Sequence, residues 1–375
     1  MLFKDIEGKA EAKKRLVNQV ARQRIPHAQL FLGREGAGAL PMALAFASYI
    51  LCENRQDEDA CGQCNSCLKT HKFIHPDLHF SFPVVTAQNK KRSDTTSDDF
   101  LPLWRKALEN NPYFSLGEWL VAMDADKSLP NINVKEINEI MQRLNMMSYE
   151  SEYKILIMWL PEYLGVEGNR LLKLIEEPTD NTFLVLVAEN QDMILQTILS
   201  RCQLTVIPAF ESHEIASYLI NHLSMGQDQA IQIANMADGN LSLALSIGNN
   251  EASDFSDMFI SWLRVAFKSD PVEINAWING VAELTKDDLK NFFEYGLHFL
   301  RQLMLSSLSD DIPLQLTSKE KEVAQKMTAL IDMEKMEIMA GILNDAIDMV
   351  NRNINTRIML FSDTLTIGEM LRNKT

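Results

Sequence analysis

The sequence predicts an α/β domain with a parallel sheet, followed by an all-helical C-terminal region. Continuous apolar runs, typical of buried parallel strands, lie at residues 155–158 and 183–188, and a further strand is predicted at 204–207, with helical segments between them. This alternation indicates right-handed crossovers and helices on both faces of the sheet. After Pro208 strand signals cease, and from about Ala252 the chain is helical and rich in leucine and methionine.

The composition indicates a globular protein and argues against a DNA-binding or membrane-spanning one. The chain has 375 residues, 46% of them hydrophobic and 23% charged, which is typical of a globular protein with two or three domains. A net charge of −15 argues against a broad DNA-binding surface, although it leaves room for a local basic patch. No apolar run is long enough to span a membrane, and the N-terminus lacks the apolar core of a secretory signal, so we expect a cytoplasmic protein.

A glycine-rich turn follows a short apolar stretch at residues 30–32 and opens a helix. Its glycines have the spacing of a phosphate-binding loop, whose backbone N–H groups cradle phosphates: Gly33, Gly36 and Gly38. Ala39 occupies the position of the lysine in such a loop, and Leu40 occupies that of the magnesium-binding hydroxyl. The stretch has the architecture of a nucleotide site without its charge. An ordinary glycine turn in an α/β domain is the alternative.

Four of the five cysteines are bunched within sixteen residues: Cys52, Cys61, Cys64 and Cys67. Two overlapping Cys-x-x-Cys pairs and a fourth thiol match the four tetrahedral ligands that zinc prefers. Because cysteine fills every position, no place is left for a catalytic water, and the predicted zinc is structural. Buried free thiols or a redox pair are the alternatives. His71, His75 and His79 lie just beyond, and we expect them to be surface or loop histidines.

A polar stretch separates the cysteines from the next predicted element. Residues 86–99 are predicted to form an exposed, structureless loop, in which the basic trio at 90–92 is solvated rather than bound to DNA. Regular structure is expected to return at Asn133, a candidate N-cap for an amphipathic helix.

The predicted strand at 155–158 would end in acidic residues in a nucleotide hydrolase, because such residues hold magnesium and polarise water. Here those two positions are Trp159 and Leu160. Glu162 comes two residues late, and we expect it to face solvent.

Beyond Pro208 the sequence predicts two or three short helices over 211–247, broken at residues 238–240. The last predicted helices, about 333–350 and 355–371, carry apolar stripes. Most of these apolar side chains should be core, and any excess on the outside would form an oligomer seam.

The order of these motifs resembles the bacterial clamp-loader subunits of DNA polymerase III. The resemblance is carried by the glycine loop, the inserted four-cysteine knuckle, the Leu-Leu-Lys…Glu-Glu-Pro helix at 171–178 and the Ser-Arg-Cys turn at 200–202. It implies a degenerate AAA+ domain at residues 1–208 with a zinc knuckle at 52–67. A helical lid at 209–250 and an α-helical collar for oligomerisation at 251–375 would follow.

Within that family the resemblance distinguishes active ATPase subunits, gamma and tau, from the inactive delta-prime type. Ala39, Leu40, Trp159 and Leu160 lack the family's catalytic groups, and Ser242 stands where a lid arginine would sense the γ-phosphate. The pattern therefore resembles delta-prime, which implies no ATP cofactor and no ATPase activity in this subunit of the polymerase holoenzyme. Glu35, within the glycine loop, would also repel phosphate.

The Ser-Arg-Cys turn keeps its arginine. By resemblance, Arg201, flanked by Ser200 and Cys202, would project into the ATP site of a neighbouring subunit as a trans arginine finger. An ordinary surface salt bridge is the alternative. The implied partners are the delta and gamma/tau subunits, with the sliding clamp and primed DNA reached through the complex and no membrane involved.

Two other functions stay open from the sequence: a gamma/tau-like active ATPase, and a DNA-binding module in which the zinc knuckle grips DNA with Lys69 and Lys72 nearby. The stretch 86–127 is longer than the usual family pattern and has no assigned role.

Overall fold

The computed structural model describes residues 1–87, 90–126, 128–248, 255–308, 316, 318–328, 330–351 and 354–372. The chain divides into two compact units, one formed by Met1–Tyr218 with Gly239–Ser242, the other by Leu219–Asp238 with Leu243–Thr375. The three-domain division stays a prediction, and its boundary at residue 250 lies outside the described residues.

The first unit contains a parallel five-stranded sheet in the spatial order β2-β3-β4-β1-β5. This arrangement confirms the predicted fold class. Short strand β2 was not foreseen, because its alternating polar residues lack the continuous apolar run of the others. The strands are β1 Ala28–Leu32, β2 Leu78–Ser81, β3 Lys154–Trp159, β4 Thr182–Ala188 and β5 Gln203–Val206.

Helices supply the rest of the regular structure among the described residues. The α-helices are α1 Ala10–Ala21, α2 Ala39–Leu51, α3 Asn65–His71, α4 Leu101–Asn110, α5 Leu116–Ala122, α6 Val134–Asn145, α7 Leu172–Glu176, α8 Gln196–Leu199, α9 Ser212–Leu223, α10 Gln227–Met236, α11 Leu241–Gly248, α12 Phe255–Lys268, α13 Pro271–Val281, α14 Lys286–Leu308, α15 Ser318–Thr328, α16 Met333–Asn351 and α17 Thr356–Arg372. Short 3-10 helices lie at Phe3–Asp5, Arg92–Asp94, Ser97–Phe100, Pro161–Leu171 and Gln191–Met193.

Both faces of the sheet are covered by helices. One face packs against α6 and α7, which contribute the buried side chains Ile137, Ile140 and Leu174 to the same core as the strands. On the other face Phe31 of β1 meets Phe46 of α2, with ring centroids 5.8 Å apart. Because α2 is buried along its whole length, it holds the preceding glycine loop against the ends of the strands.

The structure corrects the predicted loop at 86–99 and the expected return of regular structure only at Asn133. Thr95, Thr96 and Ser97 are buried, and α4 and α5 follow before α6. Gln88 and Asn89 lie outside the described residues. The chain between β2 and α6 is ordered by the packing of aromatic rings. Trp104 of α4 stacks on Phe82 at a centroid distance of 4.1 Å. In α4 the apolar residues Leu101, Trp104 and Leu108 recur at helical spacing, so this helix had a periodic signal that was not used in the prediction. Asn133 does cap α6, accepting from the Glu136 N–H at 3.0 Å.

The described residues of the second unit form helices and the connections between them, with no strand. Its core includes Phe259, Trp262, Phe292 and Leu343, contributed by α12, α14 and α16. On α17, Ile358, Phe361 and Leu365 recur at helical spacing and are exposed. These three side chains are a specific candidate for the oligomer seam, which stays a prediction.

Candidate functional site

The glycine loop joins β1 to α2 and has the backbone shape of a phosphate cradle. Gly36 and Gly38 adopt φ values of +68° and +85°, which favour glycine over other residues. A Cβ on Gly36 would lie 1.8 Å from Oδ1 of Asn240, so the chain also approaches this glycine closely. Ala39 and Leu40 begin α2 as predicted and are buried. The loop geometry is present, but these two positions bring no lysine and no hydroxyl.

The space beside the loop is filled by the protein's own side chains. The remaining cavity is about 30 Å³, whereas pockets for small ligands typically measure about 300–1,000 Å³. Its lining combines loop residues with the charged Arg34 and Glu189 and with four bulky residues from elsewhere in the fold: Pro112, Tyr113, Phe114 and Trp159. The space left beside the loop is therefore small compared with a typical ligand pocket.

The end of β3 is apolar where a nucleotide hydrolase is acidic. Trp159 is buried and packs edge-on against Phe114 at 5.2 Å, and Leu160 is buried in a left-handed conformation with φ of +53°. The prediction that Glu162 faces solvent is wrong. Its Oε1 accepts backbone N–H groups of Glu189 and Asn190 at 2.6 and 2.9 Å, and burial raises the pKa of Glu162 above its ordinary value. This carboxyl group secures the chain after β4.

Ser242, at the position of the lid arginine, is also buried. Its hydroxyl donates to Oε2 of Glu118 on α5 at 3.1 Å. Residue 242 therefore forms a hydrogen bond to α5 and provides no cation.

The structure brings together the predicted cysteines Cys52, Cys61, Cys64 and Cys67, whose sulfur atoms all lie within 4.8 Å of one another. Four sulfurs about 2.3 Å from one tetrahedral zinc ion would lie roughly 3.8 Å apart. The distance between the Sγ atoms of Cys61 and Cys67 is 3.9 Å, close to that spacing. The cluster can therefore hold a metal ion such as zinc.

Backbone donors surround these thiols. The N–H groups of Gln63 and Cys64 point at Sγ of Cys61, at 3.5 and 3.3 Å, and lower the pKa of that thiol to about 6. Burial instead raises the pKa of Cys52 and Cys67. A bound cation would offset this burial cost by favouring the thiolates.

The three neighbouring histidines lie outside the cluster. His71 is exposed at the end of α3, and His79 is half-buried in β2. His75 is buried in the loop before β2, where its Nδ1 accepts the N–H of Asp77 at 3.1 Å, so the predicted loop position holds for it. His79 is neither a surface nor a loop residue, which corrects the prediction.

Arg201 lies on an exposed turn between α8 and β5, flanked by exposed or half-buried Ser200 and Cys202. Its Nε donates to Oε1 of Glu176 at 2.5 Å, and its Nη1 donates to the Thr197 carbonyl at 3.1 Å. This ion pair joins the Leu-Leu-Lys…Glu-Glu-Pro helix to the Ser-Arg-Cys turn. Sequence reasoning had not paired the two motifs, since they are 25 positions apart.

The sequence analysis also missed Tyr113, Phe114 and Glu118 as residues of the nucleotide region. Their early signals were the aromatic content of the stretch 86–127, to which no role was assigned, and the capping-box pattern of Ser115 and Glu118.

The parallel sheet, the loop after β1 and the helical C-terminal region define the P-loop type of AAA+ architecture. Within this class, the chain belongs to the family described as "DNA polymerase III, delta subunit", whose match covers residues 8–211.

Sequence relatives include subunits of the same polymerase. The chain is 26% identical over 238 residues to the delta' subunit of Bacillus subtilis, covering 64% of this chain and 58% of that one. It is 24% identical to the tau subunit of the same organism, over 68% of this chain and 38% of that one. The delta' subunit of Haemophilus influenzae is 24% identical over 91% of this chain and 89% of its own length. The chain thus aligns with under two thirds of either Bacillus relative.

Among the residues that the structure describes, no helix combines the length and the apolar character that a membrane span requires.

Proposed function

We propose that this protein is a non-catalytic, delta-prime-like subunit of the bacterial DNA polymerase III clamp loader. It helps to load the sliding clamp onto primed DNA, as a rigid subunit that supplies Arg201 as a trans arginine finger. The observation that carries the proposal is a contrast within one domain. The domain's own nucleotide position is filled, while its arginine stands on the outer surface.

The filled cradle supports the absence of ATPase activity in this chain. A triphosphate at Gly36 and Gly38 would lack the lysine and hydroxyl replaced by Ala39 and Leu40. Unpaired negative charge in such a buried place is strongly unfavourable. A bound triphosphate would also have to displace the packed rings of Tyr113 and Phe114.

Similarity to tau keeps the alternative of an active gamma/tau-like ATPase in view. The side chains of Trp159 and Leu160 count against it, because neither can bind magnesium or polarise water. The alternative of a DNA-binding knuckle is weakened at Lys69, whose ammonium is already paired with Glu150 at 2.5 Å.

Arg201 has the properties that a trans arginine needs. Its side chain is 40% exposed, and its carboxylate partner Glu176 is 47% exposed. Ion pairs at such surfaces contribute only about 0–1 kcal/mol, so a neighbouring phosphate could attract the guanidinium away at little cost. A guanidinium is permanently charged and grips two phosphate oxygens at once.

The zinc proposed for the cysteine cluster is structural, since four thiolates complete its coordination. The delta and gamma/tau subunits are the proposed direct partners, with the clamp and primed DNA reached through the assembled complex. In this scheme residues 1–208 are the degenerate AAA+ domain, 209–250 the lid and 251–375 the collar. The exposed stripe of α17 would pair with a neighbour's collar. A role in replication implies that the protein works in the cytoplasm.

We expect the purified chain neither to bind nor to hydrolyse ATP, because the cradle is filled and lacks its cation. Equilibrium binding of labelled ATP with magnesium checks this, with a gamma/tau-type subunit as the positive control. Micromolar affinity for ATP would contradict the non-catalytic assignment.

The assembly proposal predicts co-elution of this chain with delta and gamma/tau subunits in gel filtration. Replacing the exposed α17 residues Ile358 and Leu365 with lysine should weaken the complex without unfolding the chain, since neither side chain is buried. Unchanged assembly of that double variant would remove α17 from the interface.

A further inference from the structure

The segment 111–122, which contains the first turn after α4 and then α5, contacts the degenerate loop, the end of β3 and residues 239–242. We propose that this aromatic segment is a built-in occupant of the nucleotide cradle and holds it in one conformation without any ligand. The inference rests on the proposed absence of ATP binding and goes further, since it assigns a role to part of the stretch 86–127.

The first contact is with the loop itself. The ring of Tyr113 lies so close to Gly38 that a Cβ on the glycine would be 3.3 Å from Cε1 of the tyrosine. The same Cβ would lie 3.2 Å from Cζ of Phe210, whose ring packs on Tyr113 with centroids 6.0 Å apart. Tyr113 is only 3% exposed. The ring therefore packs directly against the glycine loop, which in an active relative of this fold would cradle phosphates.

The second contact is with the end of β3. Phe114 packs edge-on against Trp159 at 5.2 Å and against Trp104 at 5.3 Å. Trp119 anchors the segment to the chain that follows β2, because its Nε1 donates to the Pro83 carbonyl at 2.9 Å. Aromatic rings thus occupy the side of the cradle at which acidic residues would hold magnesium.

The third contact is with residues 239–242, which belong to the same compact unit. Oε2 of Glu118 accepts both the Ser242 hydroxyl, at 3.1 Å, and the Ser115 N–H, at 2.7 Å. Ser115 in turn caps α5 by accepting the N–H of Glu118 at 3.0 Å. One carboxylate therefore joins the start of the segment to the position at which a lid arginine would sense nucleotide.

A bound nucleotide in this fold would act through the glycine loop, the end of β3 and residues 239–242. The aromatic segment contacts all three. Rings and hydrogen bonds from within the chain can therefore replace the ordering effect of a ligand. This arrangement would make the subunit rigid at all ATP concentrations.

Hydrogen exchange at the amides of residues 34–40 tests the proposal. In the wild type these amides should exchange slowly, and added ATP with magnesium should not change their rate. The double variant Tyr113→Ala/Phe114→Ala should exchange there about tenfold faster or more, because local opening no longer displaces packed rings. The matched control is Phe183→Ala, which removes a half-buried ring at the far end of β4 and should leave residues 34–40 unchanged.

Where the double variant does not fold, Phe114→Leu keeps most of the apolar volume and should give a smaller increase at the same amides. Unchanged exchange at 34–40 in each folded variant overturns the proposal, as does equal acceleration by Phe183→Ala. A second arm restores the missing polar groups alone, in Ala39→Lys/Leu40→Thr. We expect no ATP binding with the segment intact, and micromolar binding would show that the rings are no barrier. If instead the wild type binds ATP, the proposed function fails.

Discussion

Replacing Cys64 with serine is expected to abolish zinc binding and to unfold the segment around the cysteine cluster. Structural zinc contributes roughly 10–16 kcal/mol of apparent binding free energy in zinc-finger peptides, so its loss outweighs any local packing. Cys64 is also the N-cap of α3, with Sγ accepting the N–H of Cys67 at 3.4 Å. Elemental analysis should give one zinc per chain in the wild type and none in the variant.

The fifth cysteine provides the matched control. Cys202 lies outside the cluster, so Cys202→Ser should retain one zinc per chain. Hydrogen exchange should rise around residues 53–72 in Cys64→Ser, while the sheet stays protected, because the core formed by residues such as Leu156 and Leu186 does not depend on the knuckle. Zinc-free wild-type protein prepared without chelators would refute the metal assignment.

Replacing Arg201 with alanine is expected to leave the fold and the assembly nearly intact and to slow the reconstituted clamp loader. Trans arginines contribute on the order of 10³–10⁵ in rate at the site they complete. Because this subunit could complete only one of several ATP sites, bulk ATPase should fall partially and clamp loading onto primed DNA should fall more. Both rates are measured with the complete loader, the clamp and a primed template.

Arg170 offers a matched control, since it is another exposed arginine paired with a carboxylate, Glu167, at 2.8 Å. Arg170→Ala should load clamps at the wild-type rate. Glu176→Ala should cost little, because it removes only the surface partner of Arg201. Wild-type loading by Arg201→Ala, with Arg201 at a subunit interface, would rule out the trans role. Failed assembly would instead assign Arg201 to an interface salt bridge.

Features with a short sequence signature were predictable. Apolar runs of four and six residues identify β3 and β4, because a strand covered on both faces needs apolar side chains at successive positions. The cysteine cluster was equally clear, since its thiols lie within sixteen residues and a metal demands that spacing. The absence of polar groups at Ala39 and Trp159 was also readable from sequence alone.

Tertiary structure decided which side chains lie beside the glycine loop. Glu118 and Ser242 are 124 positions apart, and Arg201 and Glu176 are 25 apart, so no local pattern links either pair. The burial of Glu162 likewise depends on backbone N–H groups of the distant residues 189 and 190. By itself the sequence determined which groups the site lacks. Only the packing of distant aromatic side chains, which is driven by removing their surface from water, decided that the site is filled.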